Sequence, residues 1–161
     1  MNKVVHFEIP FNVEPRAKKF YTEVFGWTLN PVPEMEYTIA QTTEMDKNNM
    51  PKTPGSINGG MMKRSKNIIS PVITIEVPNI EEHLKKVKDA GGEVVKGSQK
   101  VGDMGFSAYI KDTEGNIIGL WQTARISASS LLVDPTLSIS HCVNCLNLLL
   151  EVGSSRKTSP I

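Results

Sequence analysis

The chain has few cysteines, two in 161 residues, and both fall late, at Cys142 and Cys145. That excludes a disulfide framework and makes a reducing, cytoplasmic setting the expectation. An excess of charge is also missing, since 18 Lys and Arg oppose 17 Asp and Glu for a net +1, with no block of one sign. Nucleic acid is therefore not an expected partner, because its binding needs a basic face that displaces counterions. Long apolar runs are lacking too. Residues 137–150 come nearest, but Ser138, Ser140, His141, Asn144 and Asn147 interrupt them, and a spanning helix needs about 20 apolar residues. Residues 1–11 alternate apolar and polar, unlike a signal peptide. The expectation is a soluble protein with no membrane partner. No phosphate-binding glycine motif, nucleophile elbow or Ser/His/Asp arrangement is present either.

What is there divides unevenly. All ten aromatics precede Gln122, and residues 123–161 contain none while holding eight serines and seven leucines. Leucine at that density favours burial, so this is no ordinary linker. Residues 1–122 read as the working domain and 123–161 as an atypical Ser/Leu-rich tail, which could add a docked helix over 142–152, be disordered, or be foreign to the native product. Within it, His141-Cys142-Val143-Asn144-Cys145 has the spacing of a zinc knuckle or redox pair. No second Cys/His pair follows to complete four ligands, so the two thiols read as small apolar residues.

The first 122 residues repeat one pattern. Residues 4–10 alternate as a strand, and Glu14-Pro15-Arg16 opens a helix whose Ala17, Phe20, Tyr21, Val24 and Phe25 fall on one stripe, closed by Gly26. Strands are expected at 27–32, 37–43 and 56–63. The second half begins again with a strand at 71–77 and a helix at 80–90, with Ile80, Leu84, Val87 and Ala90 on one face and Gly91-Gly92 at its end. Strands at 93–96, 106–111 and 116–122 follow, the last two joined by Asp112-Thr113-Glu114-Gly115. The β-α-β-β-β order thus occurs twice, in a first module over 1–66 and a second over 67–122. Aligning the helices gives an offset of 66 to 67; aligning Glu8-Ile9-Pro10 with Glu76-Val77-Pro78 gives 68. A slip of two leaves every side chain on its own face.

This doubled module, opening with HFEIP and RAKKFYTEVFGW and closing with DTEGNIIGLWQ, resembles the vicinal oxygen chelate superfamily, which includes glyoxalase I, bleomycin-resistance proteins and extradiol dioxygenases. The resemblance covers residues 4–122. It implies an α+β fold in which two β-α-β-β-β modules form a curled mixed sheet, a cup with helices outside. Strand alternation then turns His6 and Glu8 into the cup from the first strand and Val72, Thr74 and Glu76 from the fifth. The closing strands of the modules add Asn58, Gly60 and Met62, and Ile117, Gly119 and Trp121.

Metal-dependent relatives hold a divalent ion with one ligand from the first strand and one carboxylate from the last strand of each module. Carried over by position, these are His6, Gly60, Val72 and Gly119. Only His6 can bind a metal, and one imidazole does not hold Ni, Zn, Fe or Mn, although a displaced site joining His6 to Glu8 or Glu76 stays open. No cofactor is the expectation. Glycine at both carboxylate positions implies a floor stripped of side chains, where a ligand approaches the backbone. The candidate ligand contacts are His6, Glu8, Asn58, Gly60, Met62, Thr74, Glu76, Gly119 and Trp121. Glu8 is the candidate catalytic base if burial raises its pKa, and a structural residue if a rim lysine pairs with it. His83 sits on a solvated helix face and is assigned no role. Residues 45–54 read as a lid over the cup or as a plain connection.

The resemblance implies either a glyoxalase-related enzyme, lyase-like or dioxygenase-like, for a small, largely apolar or oxygenated metabolite, or a metal-free protein that binds or sequesters a drug-type molecule. It also implies a homodimer, since modules of this superfamily pair within or between chains.

Overall fold

Both regions of alternation become strands, and both stripes at helical spacing become helices. The structure, a computed structural model, describes residues 1–47 and 51–124. The docked helix and the Cys142/Cys145 pair expected of the tail lie outside the described residues. The first module runs β1 (Val4–Phe11), α1 (Glu14–Phe25), β2 (Thr28–Val32), β3 (Tyr37–Gln41) and β4 (Gly59–Lys63); the second runs β5 (Val72–Glu76), α2 (Ile80–Asp89), β6 (Glu93–Val101), β7 (Gly105–Lys111) and β8 (Ile117–Thr123). Each boundary falls within a few residues of expectation except that of β6. That strand extends past Lys96 because register shifts between Val94 and Gln99 break its alternation without ending its pairing with β7.

The eight strands form one mixed open sheet in the order β2-β3-β4-β1-β5-β8-β7-β6. The first strands of the modules, β1 and β5, pair antiparallel at its centre. Each also pairs in parallel with the last strand of its own module, β4 or β8. Glu8 lies beside Gly60 as Thr74 lies beside Gly119. This register makes Glu8 the counterpart of Thr74 and His6 that of Val72, an offset of 66, and excludes the offset of 68.

The modules bury their helices unequally. Ile80 and Leu84 of α2 sink into a core with Val77, Ala108, Ile110 and Leu120. The Asn79 side chain accepts from the Glu82 N–H, and the Gln122 side chain accepts from the Ile80 N–H at 2.7 Å, so two of the helix's free donors are satisfied. By contrast α1 has no side-chain cap and buries none of its residues. Its inner contact passes through Tyr21, stacked on Trp27 at 5.0 Å, and Trp27, which meets Phe7 at 5.6 Å. Phe20, Val24 and Phe25, expected on the core stripe, stay more than half exposed. Gly26 closes α1 at φ 69, a left-handed conformation that a side chain would strain. Among the described residues, no helix is long and apolar enough to cross a membrane.

Candidate functional site

The face of the sheet opposite the helices gathers side chains from both modules at its centre. Strand alternation sends Val5 and Phe7 of β1 one way and His6 and Glu8 the other. The registers of β3 and β7 add two residues that the sequence had not singled out, Tyr37 and Tyr109. Tyr37 pairs with Met62, and Tyr109 pairs with Gly119 on one side and Lys96 on the other.

Two hydrogen-bonded couples result. His6 Nε2 lies 2.7 Å from the Tyr37 hydroxyl, and the backbone of Asn58, the residue before β4, also acts on the imidazole. Burial lowers the His6 pKa to about 4, which keeps the ring neutral at pH 7. His6 Nε2 and the Tyr37 hydroxyl are joined by one hydrogen bond. In the second couple the Tyr109 hydroxyl stands 3.0 and 2.8 Å from the two carboxylate oxygens of Glu8, a residue 8% exposed. Burial pushes the Glu8 pKa up, while the Tyr109 hydrogen bond and the charge of Lys96 pull against it. Burial and the Glu8 charge also raise the pKa of both phenols, so both stay protonated at neutral pH.

The glycines at the family's carboxylate positions do not leave open space. A Cβ on Gly60 would meet the ring and hydroxyl of Tyr37, and one on Gly119 would come within 2.6 Å of Thr74 Oγ1. The expected bare floor is covered at both points by a neighbouring strand's side chain. Val72 is fully buried beside Glu8. Met62 and Trp121 are half-buried on either side of the centre, and the Trp121 indole N–H donates to Thr123 Oγ1 at 3.3 Å.

Asn58 and Glu76 play other parts in the structure. Asn58 Oδ1 accepts from the backbone N–H groups of Thr42 and Thr43, and its amide donates to Met45 Sδ, so its side chain ties down the segment after β3. Part of the expected lid, residues 48–50, lies outside the described residues. Glu76 sits at the strand end with Lys3 at 3.5 Å and Thr123 Oγ1 at 3.3 Å, away from His6. A separate open groove of about 520 Å³, lined in part by Lys66, Ser70, Glu93 and Asn116, contains none of the expected contacts.

The metal quartet of the superfamily does not fit these residues. Three of the four positions carry no donor, and Nε2 of the fourth, His6, is hydrogen-bonded to Tyr37. Among the described residues no three His, Cys, Asp or Glu side chains come together as ligands would. Tyr37 and Tyr109 were within reach of the sequence as cup-facing positions of their strands. Their convergence on His6 and Glu8 depends on pairings among β1, β3, β4 and β7 that it does not encode locally.

Residues 3–43 match the family described as bleomycin resistance protein-like N-terminal. The protein named "Putative glyoxylase CFP32" is 32% identical over 123 residues, in Mycobacterium bovis and in Mycobacterium tuberculosis. The match covers 72% of this chain and 44% of the relative, so the chain spans less than half the length of these curated proteins. Three solved structures share the fold. Hypothetical protein BH1468 from Bacillus halodurans has a TM-score of 0.53 at 16% identity, covering 78% of this chain and 97% of its own. A Streptomyces coelicolor methylmalonyl-CoA epimerase has 0.53 at 14%, with the same coverage. A glyoxalase/bleomycin resistance protein/dioxygenase superfamily member from Vibrio splendidus has 0.50 at 12%, covering 76% and 99%. The chain has the fold of this superfamily, the vicinal oxygen chelate proteins, and is similar to its members in sequence.

Proposed function

We propose that the protein binds a small, largely apolar or oxygenated molecule in the cup without the superfamily's metal. The observation that carries this reading is the filling of the metal-carboxylate positions, Tyr37 over Gly60 and Thr74 over Gly119. What remains is a few polar groups, Glu8, Tyr37 and Tyr109, among Met62, Trp121 and Val72, the composition of a small-molecule site.

A second reading makes the chain a glyoxalase-related enzyme in which Glu8 exchanges a proton with the bound molecule. Its support is a buried carboxyl with a raised pKa, oriented by Tyr109. We also read the chain as a cytoplasmic homodimer. The dimer is supported by the exposed Phe20, Val24 and Phe25 of α1 and by the outer edges of β2 and β6, which are unpaired among the described residues.

Metal analysis and a thermal-shift panel of small molecules test the main reading. The expected result is a melting transition unmoved by chelation, with at least one compound raising it and perturbing the Trp121 indole signal. Stoichiometric bound metal with His6 as a ligand would sink it. Turnover that is lost in Glu8→Gln while the ligand still binds would decide for the enzyme.

A further inference from the structure

Helix α1 presents a joined apolar surface to solvent. Phe20, Val24 and Phe25 are 52%, 57% and 56% exposed, and the rings of Phe20 and Phe25 lie 5.9 Å apart. Phe25 meets Trp27 at 5.8 Å, and Trp27 meets Phe7 at 5.6 Å. Phe7 in turn pairs across the centre of the sheet with Ile73 of β5, which is 45% exposed. The surface thus runs from the outer side of α1 to the middle of the sheet. Single exposed apolar side chains are ordinary, whereas a contiguous patch marks a contact surface. The charges around it are arranged to suit a second copy. Arg16, Lys19, Phe20, Glu23 and Val24 are all exposed and recur at i, i+3, i+4, i+7 and i+8, one stripe of the helix. That stripe is basic before Phe20 and acidic after it. The sheet edges are less suited to such a contact. β2 is five residues long and includes Pro31, which has no N–H, while β6 is broken by register shifts between Val94 and Gln99 and carries the exposed Lys96 and Lys100. Short strands, proline, bulges and lysines are what keep an edge from pairing.

We propose that α1 is the contact surface for a second copy of this chain, packed antiparallel on the same helix across a twofold axis near Phe20. This rests on the homodimer reading and chooses the helix face over the sheet edges. In a twofold contact each surface meets itself reversed. Phe20 then packs against Phe20 of the partner subunit, and Arg16 of each chain falls opposite Glu23 of the partner subunit, so the charges attract on both sides of the aromatic centre. A parallel arrangement would set Arg16 and Lys19 against their own copies and repel. Because α1 lies on the face of the sheet opposite His6 and Glu8, the pair leaves both cups open.

Sedimentation of the full chain from about 1 to about 100 µM, a range spanning a micromolar Kd, reads the dimer directly. Phe20→Glu should weaken it by about tenfold or more. Arg16→Glu and Glu23→Arg, each of which sets like charges across the contact, should each weaken it by about tenfold at low salt. The double variant R16E/E23R restores opposite charges and should return the affinity to near that of the wild type. Glu23→Arg also loses the exposed pair with Lys19 at 3.8 Å, a loss the double variant shares, so its rescue isolates the contact between chains. Hydrogen exchange in α1 should outpace that in α2 in the dilute, monomeric chain and slow as the dimer fills. A wild-type dimer left unchanged by Phe20→Glu and by both charge reversals would overturn the surface and leave the homodimer reading standing. Weakening in both single reversals without rescue in the double would overturn the antiparallel arrangement. A full chain that stayed monomeric throughout would overturn both the surface and the homodimer reading. All three positions are exposed on α1; should Phe20→Glu fail to fold, the reversal and rescue decide alone.

Discussion

His6 and Glu8 stand two residues apart on one strand and respond to acid in opposite senses. The folded pKa of His6, about 4, lies below its unfolded value of 6.5, so the folded state binds this proton less readily. Stability from His6 is complete above pH 6.5 and lost as pH falls toward 4, by about 3 kcal/mol at most. Glu8 has a folded pKa raised above 4.5. Its folded form holds the proton more tightly, so its effect on stability is most favourable below pH 4.5 and declines as pH rises through the folded pKa. Urea unfolding between pH 4 and 7 should separate the two. In His6→Gln the loss of stability on acidification should shrink, and in Glu8→Gln it should grow. Parallel pH profiles in wild type and both variants would mean that neither group is buried as described. The glycines make a second prediction at this scale. Gly119→Ala should destabilise by about 1–3 kcal/mol through the clash with Thr74 Oγ1, and should cost clearly less in a Thr74→Ala background. Equal costs in both backgrounds would show that the space beside Gly119 is open. The sequence placed His6, Glu8, Gly60 and Gly119 on one face correctly by alternation. It did not show what lies over the glycines, because Tyr37 is 23 residues away from Gly60 in the chain and meets it through a strand pairing.

The two helices follow the same pattern in sequence and differ in the structure. Both have an apolar stripe, but α2 has a cap at Asn79, a second donor satisfied by Gln122 and buried Ile80 and Leu84, whereas α1 has none of these. Hydrogen exchange should therefore be slower in the middle of α2 than in the middle of α1, since opening α1 exposes little additional apolar surface. Asn79→Ala should cost about 1 kcal/mol of stability, and Leu84→Ala about 2–5 kcal/mol, read from denaturant midpoints. Equal protection of the two helices would mean that α1 is covered in solution, as the homodimer reading requires if its apolar face forms the contact. Periodicity told where each helix lies and which face is apolar. It could not tell that Trp27 and Phe7 carry the inner contact of α1 and leave Phe20, Val24 and Phe25 outside.

For the whole molecule, the last strand among the described residues, β8, ends at Thr123. Removing residues 125–161 should then shift the melting temperature by only a few degrees, corresponding to about 1 kcal/mol or less; an insoluble or molten 1–124 chain would show that the tail completes the core. The sequence by itself determined the doubled β-α-β-β-β order, the faces of the strands and the lack of donors at three of the four metal positions, because each is written in local spacing or in the residue type itself. Only the tertiary structure decided the offset of 66, the closing of the floor by Tyr37 and Thr74 and the coupling of His6 to Tyr37 and Glu8 to Tyr109. These depend on strand register, which is fixed by pairing and packing between distant segments rather than by any one segment's composition.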